Sequence, residues 1–472
     1  ALRYFYRSRS GVELDPTQAG AEWSRPAGHL TDADVTCYLG TDPRGGEGDG
    51  CDDTLDASGG WYDAGDYGKY VVPAAISTWT LLNAYERDPG TWADEQVPLP
   101  EGANGIPSIL DEARWEIEWL LSMQVPEGQP NAGMVHHKLH DLAWAPDAIL
   151  PPTEYDNDNE HSDPGSGRYL MPPSTQATLD TAAIGAQCAR MWAVLDPDFA
   201  ARCLTAAEAA WAAAEANPAA FTGHVPGDGG GPYDDSDPTD ERAWAATELF
   251  ITTGNEAYLA AVEDSSEFLY VPLESAPMWW GDVAALGPMS VVTAGRELDQ
   301  GLVTRAEDAI ASSADWGLTQ MEEFSAYRIP LGRFEWGSNS AVLNNAIALG
   351  LAHDVTGDAR YLDGAAEAMD YLLGRNPLNI SFISGYGEDP LTAPHHRFWA
   401  NIAGLPMVPP GVVAGGVNAV PSDPTAEELV STLPEALRYV DESGSWSTNE
   451  VAINWNAPLV WVASYLARAS AE

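Results

Sequence analysis

Apolar residues recur at three- and four-residue spacing through most of the chain, in runs broken by clusters of Gly, Pro and Asp. After Pro107, the positions Ile109, Ala113, Ile117, Leu120 and Leu121 keep one helical face apolar. Asp196-Pro197 and Asp237-Pro238 read as a capping residue followed by proline at the first helical position, where its missing N–H is not needed. Gly254 and Gly374 are placed to end helices, and Pro377 follows the second. The pattern predicts about eleven helices, near 74–87, 107–124, 174–194, 198–216, 239–253, 256–264, 286–298, 302–314, 338–354, 359–373 and 450–468. No strand series alternates with them, which disfavours a parallel α/β barrel and gives an all-α fold with elaborate loops.

Two loops, 139–172 and 405–445, are long, acidic and rich in proline. A structureless loop of about 30 residues is rare unless it is functional or disordered, so recognition is expected there. At 472 residues the chain exceeds the ~250–300 at which one core usually stops growing, so a single domain requires a large barrel. There is no short-period repeat, no Pro/Ser/Thr-rich linker and no separate binding module, and 1–472 is read as one domain. No run of about 18 apolar residues offers a membrane span. The start at Ala1, without Met or a signal-like stretch, reads as a mature or excised fragment.

Acidic residues number 71 against 22 basic ones, for a formal charge of −49. Only Lys69 and Lys138 are lysines; the other cations are arginines. Such a surface repels nucleic acid and anionic lipid but not a neutral polysaccharide. It also suits high salt, where screening removes self-repulsion. The four cysteines fall as Cys37 and Cys51 around a Gly/Asp-rich loop, and Cys188 and Cys203 on either side of the turn at Leu195-Asp196-Pro197. Both pairs suit bridges in an oxidising compartment, with buried free thiols as the alternative.

The chemistry concentrates in two places. Gly59-Gly60-Trp61-Tyr62-Asp63-Ala64-Gly65-Asp66-Tyr67-Gly68-Lys69-Tyr70 sets two carboxylates three residues apart among glycines and aromatics. Glycine permits close backbone approach to a ligand and the rings supply flat apolar faces; the alternative is a turn whose aspartates cap helices. Ser447-Thr448-Asn449-Glu450-Val451-Ala452-Ile453-Asn454-Trp455 holds one Glu in an uncharged, mostly apolar run. Burial there would raise its pKa and keep it protonated, as a general acid requires, whereas Asp66 in its polar turn should stay ionised. Carboxyls pushed apart in this way mark glycoside hydrolysis. The alternative for Glu450 is a helix-start residue favoured by the macrodipole.

These segments, with Asn376-Pro377-Leu378 and Pro394-His395-His396-Arg397 between them, resemble glycoside hydrolase family 9, the inverting cellulases, from about Ala1 to Leu466. The resemblance implies an (α/α)6 barrel of twelve helices in two rings, with loops at one end forming the cleft. It makes Asp66 the general base, Asp63 a helper that holds the nucleophilic water, Glu450 the general acid, and His395 and Arg397 ligands of sugar hydroxyls. Trp279, Trp280, Trp336 and Trp446 are candidates for sugar stacking. The expected enzyme is a secreted, monomeric inverting β-1,4-glucanase acting on a β-glucan, with no nucleic-acid or membrane partner. The alternative is an exo-acting relative releasing glucose or cellobiose, or acting on chitosan oligosaccharides. A glucan-binding protein without catalysis is disfavoured because the acid and base set is intact. Some relatives carry an immunoglobulin-like domain ahead of a segment like Ala1-Leu2-Arg3-Tyr4-Phe5-Tyr6, which suggests that one has been removed here.

Gly230-Gly231-Pro232-Tyr233-Asp234-Asp235-Ser236-Asp237-Pro238-Thr239-Asp240-Glu241 is dense in the hard oxygens that Ca²⁺ takes. The resemblance points to Asp240, Glu241 and Ser236, closed by Asp282; the alternative is a solvated acidic helix start. Relatives with the immunoglobulin-like domain hold zinc through Cys and His where this chain has Ser10 and Gly28. His29 alone cannot make such a site, so no zinc is expected. His136, His137 and His140 read as core or cleft residues.

Overall fold

The computed structural model describes the chain except for residues 42–46, 52–53, 153–166, 224–228, 269–275, 295–297, 403 and 471–472. Among the described residues eleven helices have nine or more residues. They are α1 (Val71–Arg87), α2 (Ser108–Ser122), α3 (Thr175–Trp192), α4 (Pro197–Ala216), α5 (Thr239–Thr253), α6 (Glu256–Asp264), α7 (Leu286–Ala294), α8 (Gln300–Thr319), α9 (Ser338–Thr356), α10 (Ala359–Leu372) and α11 (Ile453–Ala469).

The odd-numbered helices form a closed inner ring, α1 on α3, α3 on α5, α5 on α7, α7 on α9, α9 on α11 and α11 back on α1. The even-numbered helices lie outside them: α2 against α1 and α3, α4 against α3 and α5, α8 against α7 and α9, α10 against α9 and α11. Sequence explains the sorting. Inner helices are covered all round, so α1 is buried from Val71 to Ala84 and α3 from Thr175 to Ala189 without a break. Outer α10 buries only the stripe Tyr361, Gly364, Ala365, Ala368, Tyr371 and Leu372, as a one-sided helix does. The short helix Arg3–Ser8 adds Leu2, Tyr4 and Phe5 to the same core. The result is the (α/α)6 barrel.

The structure departs from the sequence reading in its loops. Short strands, absent from that reading, brace them: Lys69–Tyr70 pairs with Lys138–Asp141, which pairs with Arg168–Leu170. The 139–172 stretch therefore begins and ends in strand, with 153–166 outside the described residues. The 405–445 stretch contains a helix, Pro424–Val430, capped by Asp423. The last helix starts at Ile453 rather than 450, because Glu450 is extended and its carbonyl accepts from Gly415 N. Residues 295–297 of the expected 286–298 helix lie outside the described residues.

Both cysteine pairs are disulfides, with Cα separations of 5.3 Å for Cys37–Cys51 and 6.0 Å for Cys188–Cys203. The second ties α3 to α4 across 15 residues of chain. Closing such a loop in the unfolded chain removes entropy worth about 3 kcal/mol. The Cys188→Ala/Cys203→Ala variant is expected to lose about that much stability, read as a lower midpoint in chemical denaturation; an unchanged midpoint would show that the bridge contributes nothing.

Candidate active site

The cleft is built from the segments that precede the inner helices. The loop before α1 brings Asp63 and Asp66, that before α3 Trp144 and Asp147, that before α5 Gly231 and Tyr233. Those before α7, α9 and α11 bring Trp279 and Trp280, Trp336, and finally His395, Arg397, Trp446 and Glu450. Together they line one cavity of about 820 Å³. All nine residues expected for catalysis and sugar binding are in it.

The loop before α1 is shaped by close packing. A Cβ on Gly65 would lie 2.7 Å from the His395 carbonyl oxygen, so only glycine lets Arg397 N donate to Gly65 O at 3.0 Å. Gly65 N in turn donates to Glu450 Oε1 at 3.3 Å, joining residues 385 apart in sequence. Ile453 N donates to Asp63 O at 2.8 Å, so the start of α11 is fastened to the loop before α1. Behind the loop, Trp61 N donates to Glu116 Oε2 at 2.6 Å and Trp61 Nε1 to Glu112 Oε1 at 2.9 Å; Glu112 also pairs with Arg9 at 3.0 Å.

The three carboxyls differ in surroundings. Asp66 Oδ2 accepts from Gly68 N at 3.1 Å and from the Tyr70 hydroxyl at 2.8 Å. Asp63 is fully buried; Oδ2 accepts from the Tyr233 hydroxyl at 2.6 Å and Oδ1 has no partner. Tyr233 makes this contact from a left-handed backbone, φ 48°. Burial, opposed by Tyr233 and reinforced by Asp66, pushes the Asp63 pKa up to about 8. Burial and then the charges of Asp66 and Asp63 likewise push Glu450 to about 8. The expectation of a protonated Glu450 at neutral pH therefore has its physical cause in place.

His395 Nδ1 lies 2.6 Å from Ser443 O, so the neutral ring donates there and presents Nε2 as an acceptor; burial lowers its pKa. Arg397 Nε donates to Ala145 O at 3.0 Å, and its guanidinium lies 5.6 Å from the Trp144 ring centroid. His396, between them, turns inward and stacks on Trp399 at 4.0 Å. Trp279, Trp336 and Trp446 are 49%, 47% and 37% exposed, unusual for tryptophan unless the face is reserved for a ligand. Sequence reasoning missed Trp144, 47% exposed, together with Asp147 and Tyr233, and it singled out Tyr70 for its ring rather than for the hydroxyl that Asp66 accepts from. The Tyr233 signal was present in its run of glycine and aspartate, but that run was read only for metal.

The metal candidates separate. Asp240 and Glu241 open α5, and Asp240 Oδ2 accepts from Val283 N at 2.7 Å, next to Asp282. Asp180 of α3, not anticipated, joins them: burial, then Asp240, pushes the pKa values of both Asp180 and Glu241 well up. Burial pushes Asp282 to about 6, with Asp240 adding to it. Ser236 is exposed on the turn leading into α5. His136 sits instead beside Cys37 and Cys51, within 4.8 Å, a candidate Cys/His site that the sequence reading did not foresee; the two sulfurs are bonded to each other here. His137 and His140 are buried.

The sequence profile of glycosyl hydrolase family 9 matches residues 1–463. The chain belongs to this family. It is 43% identical to a cellulose 1,4-beta-cellobiosidase of Acetivibrio thermocellus, over 99% of this chain and 56% of that protein. A solved metagenome-derived family 9 endoglucanase is 37% identical, with a TM-score of 0.82 over 99% of this chain and 79% of that one. A zinc-binding triple mutant of endoglucanase J30 is 32% identical, with a TM-score of 0.83 over 99% and 83%; metal is thus bound by some structures of this family. The chain spans about half the length of the curated relatives it matches. Among the described residues no helix is long and apolar enough to cross a membrane.

A carboxyl whose folded pKa lies above its unfolded value favours the fold while protonated. Its contribution is full below about pH 4 and lost as pH rises through the folded value, here about 8 for Asp63 and Glu450. Both carboxyls should titrate near pH 8 by carbon NMR, and both values should fall in Asp66→Asn, which removes a charge that raises each. Values near 4 in the native chain would show that burial does not govern them.

Proposed function

We propose that this chain is an inverting glycoside hydrolase that cleaves β-1,4-glucosidic bonds in cellulose or a related β-glucan, with residues 1–472 as one catalytic domain. The observation that supports this most is the meeting of Asp63, Asp66 and Glu450, from opposite ends of the sequence, in one cleft faced with exposed tryptophans. Exposed indole faces suit the apolar faces of pyranose rings, and a neutral glucan is not repelled by the surrounding negative charge. Glu450, kept protonated by burial, gives its proton to the departing glycosidic oxygen. Asp66, whose carboxylate is held by Gly68 N and Tyr70, takes a proton from the water that attacks the anomeric carbon. Asp63 presents its unpartnered Oδ1 to that water. His395 Nε2 and the Arg397 guanidinium engage sugar hydroxyls beside the scissile bond. The two disulfides and the acidic surface suit secretion, and the enzyme acts as a monomer.

The cellobiosidase name of one relative favours a second reading, exo-action releasing cellobiose. Product analysis on a soluble cellulose derivative separates the two, since endo-action lowers viscosity well before reducing ends accumulate.

The Asp180, Asp240, Glu241 and Asp282 group fits Ca²⁺. Both Glu241 carboxyl oxygens and Asp180 Oδ2 are buried without hydrogen-bond partners, a costly arrangement that a hard cation relieves. Such an ion would join α3, α5 and the segment before α7. Chelation should lower the melting temperature and Ca²⁺ restore it, the ion stabilising the fold by about 2.7 kcal/mol at a hundredfold excess over Kd; Glu241→Gln should abolish the response. A chelator-insensitive melting temperature would remove calcium from the proposal.

Glu450→Gln should cut hydrolysis of unactivated glucan by about 10²–10⁴-fold yet spare substrates with an acidic phenol leaving group, which need no proton. Asp66→Asn should abolish both, and Asp63→Asn should do less damage. The first product should be the α-anomer by NMR, since direct attack inverts the centre. A first-formed β-anomer would sink the inverting mechanism and the assignment of Asp66.

A further inference from the structure

Lysine is almost absent from this chain, yet both lysines are fully buried behind residues that line the cleft, on the adjoining strands Lys69–Tyr70 and Lys138–Asp141. Lys69 is the more completely committed of the two. Its ammonium pairs with Asp32 Oδ2 at 2.9 Å and donates to Ala57 O at 2.5 Å and Gly59 O at 2.9 Å. An ammonium has three donors, and here each has one acceptor. Asp32 is shared with Arg168, whose Nε lies 2.8 Å from Oδ1, while Arg168 Nη1 donates to Tyr67 O at 2.9 Å and pairs with Asp141 at 3.1 Å. The carbonyls so held, of residues 57, 59 and 67, flank Asp63 and Asp66 on both sides. None belongs to the segments that carry Trp279, Trp280, Trp336 or Trp446.

We infer that Lys69 is a positioning residue of the reaction: its three N–H donors, anchored on Asp32, which Arg168 shares, hold the loop at the placement that Asp66 needs for attack by water. The inference rests on the proposed role of Asp66. Chemistry explains why a lysine stands here in a chain that otherwise uses arginine. A compact ammonium directs three donors tetrahedrally from one atom, whereas a guanidinium, as at Arg168, spreads its donors in one plane over a wider span and would not fit the same three acceptors around a single nitrogen. Burying the charge is costly, and Asp32 offsets it; a buried pair of this kind is poor support for stability but a strong geometric constraint. Misplacing a catalytic group by about 1 Å can cost about a hundredfold in rate.

The test is Lys69→Met, which keeps length and leaves Asp32 paired with Arg168. Measured on a soluble glucan well below the melting temperature, kcat should fall about ten- to a hundredfold with KM within twofold. Leu349→Ala, a cavity in the middle of α9, should lower stability while leaving kcat unchanged, as a merely structural loss would. Lys69→Arg retains the charge opposite Asp32 and decides the matter if Lys69→Met does not fold; it should show the same loss of kcat. Wild-type kcat in Lys69→Arg, kcat within twofold in Lys69→Met, or a rise in KM matching the fall in kcat would each overturn the inference. So would failure of Lys69→Arg to fold, which would mark the lysine as structural. An inactive Asp66→Asn beside an unaffected Lys69 variant defeats only this inference, whereas an active Asp66→Asn defeats the role of Asp66 itself.

Discussion

Everything in this molecule depends on six inner helices that all start at the same end of the barrel. Each is buried on every side and closed into a ring with its neighbours, so it can vary only in the segment that leads into it. Those six segments supply the lining of the cleft, apart from side chains such as Ile76, Ser340, Asn344, Asn454 and Trp455 in the first turns of the helices themselves. Loops on a rigid scaffold can carry chemistry without endangering the core. The converging helix N-termini also present partial positive charge toward a cleft that must hold carboxyl groups.

The same constraint explains the ionic layer beneath the cleft. Three carboxyls brought into a small buried volume repel one another, and burial already raises the pKa of Asp63 and Glu450. Among the described residues no cation forms an ion pair with them; the charge of Arg397 lowers Glu450 as the last of its causes, and Asp66 interacts with the charge of Lys138. One layer down, the ionic groups are paired among themselves, as Arg9–Glu112, Lys69–Asp32–Arg168 and Arg168–Asp141. Lys69 and Arg168 hold backbone carbonyls of the loop and Glu112 holds the Trp61 indole, none of them a cleft carboxyl. That leaves the carboxyls free to differ in proton affinity, which acid and base roles require.

Much of this was legible in the sequence, and the failures have physical reasons. The eleven helices were visible because both rings keep helical periodicity. Asp63, Asp66 and Glu450 stood out because a carboxyl among glycines or in an apolar run is costly without a task. The strands were not legible: two- to four-residue strands such as Lys69–Tyr70 carry no alternation to detect, and they form only because the barrel brings loops together. Glu450 was assigned to a helix because Val451 and Ala452 continue the apolar pattern. The bond from Gly415 N to its carbonyl, between residues 35 apart, holds it extended instead. Asp180 and Trp144 were missed for a shared reason. Each is an ordinary residue of its own segment and gains meaning only from neighbours distant in sequence, Asp240 and Glu241 for one, Arg397 for the other.

The surface and the cleft obey different rules, and the lysines mark the boundary. With both lysines buried, exposed positive charge is carried by arginine alone, whose guanidinium is weakly hydrated and pairs with carboxylates in a fork. Arg87–Asp354, Arg190–Glu86 and Arg242–Glu215 are such forks. They cover only a small part of the acidic excess, so the protein carries a large net negative charge, formally −49. A charged ligand would be steered or rejected by that field. A neutral polysaccharide, the substrate proposed above, would feel neither effect, and on that proposal its capture would fall to contact with the tryptophans. The acidity therefore bears on how the protein meets salt and other macromolecules, while on the proposed function discrimination among sugars would fall to the shape, stacking and hydrogen bonds of the cleft.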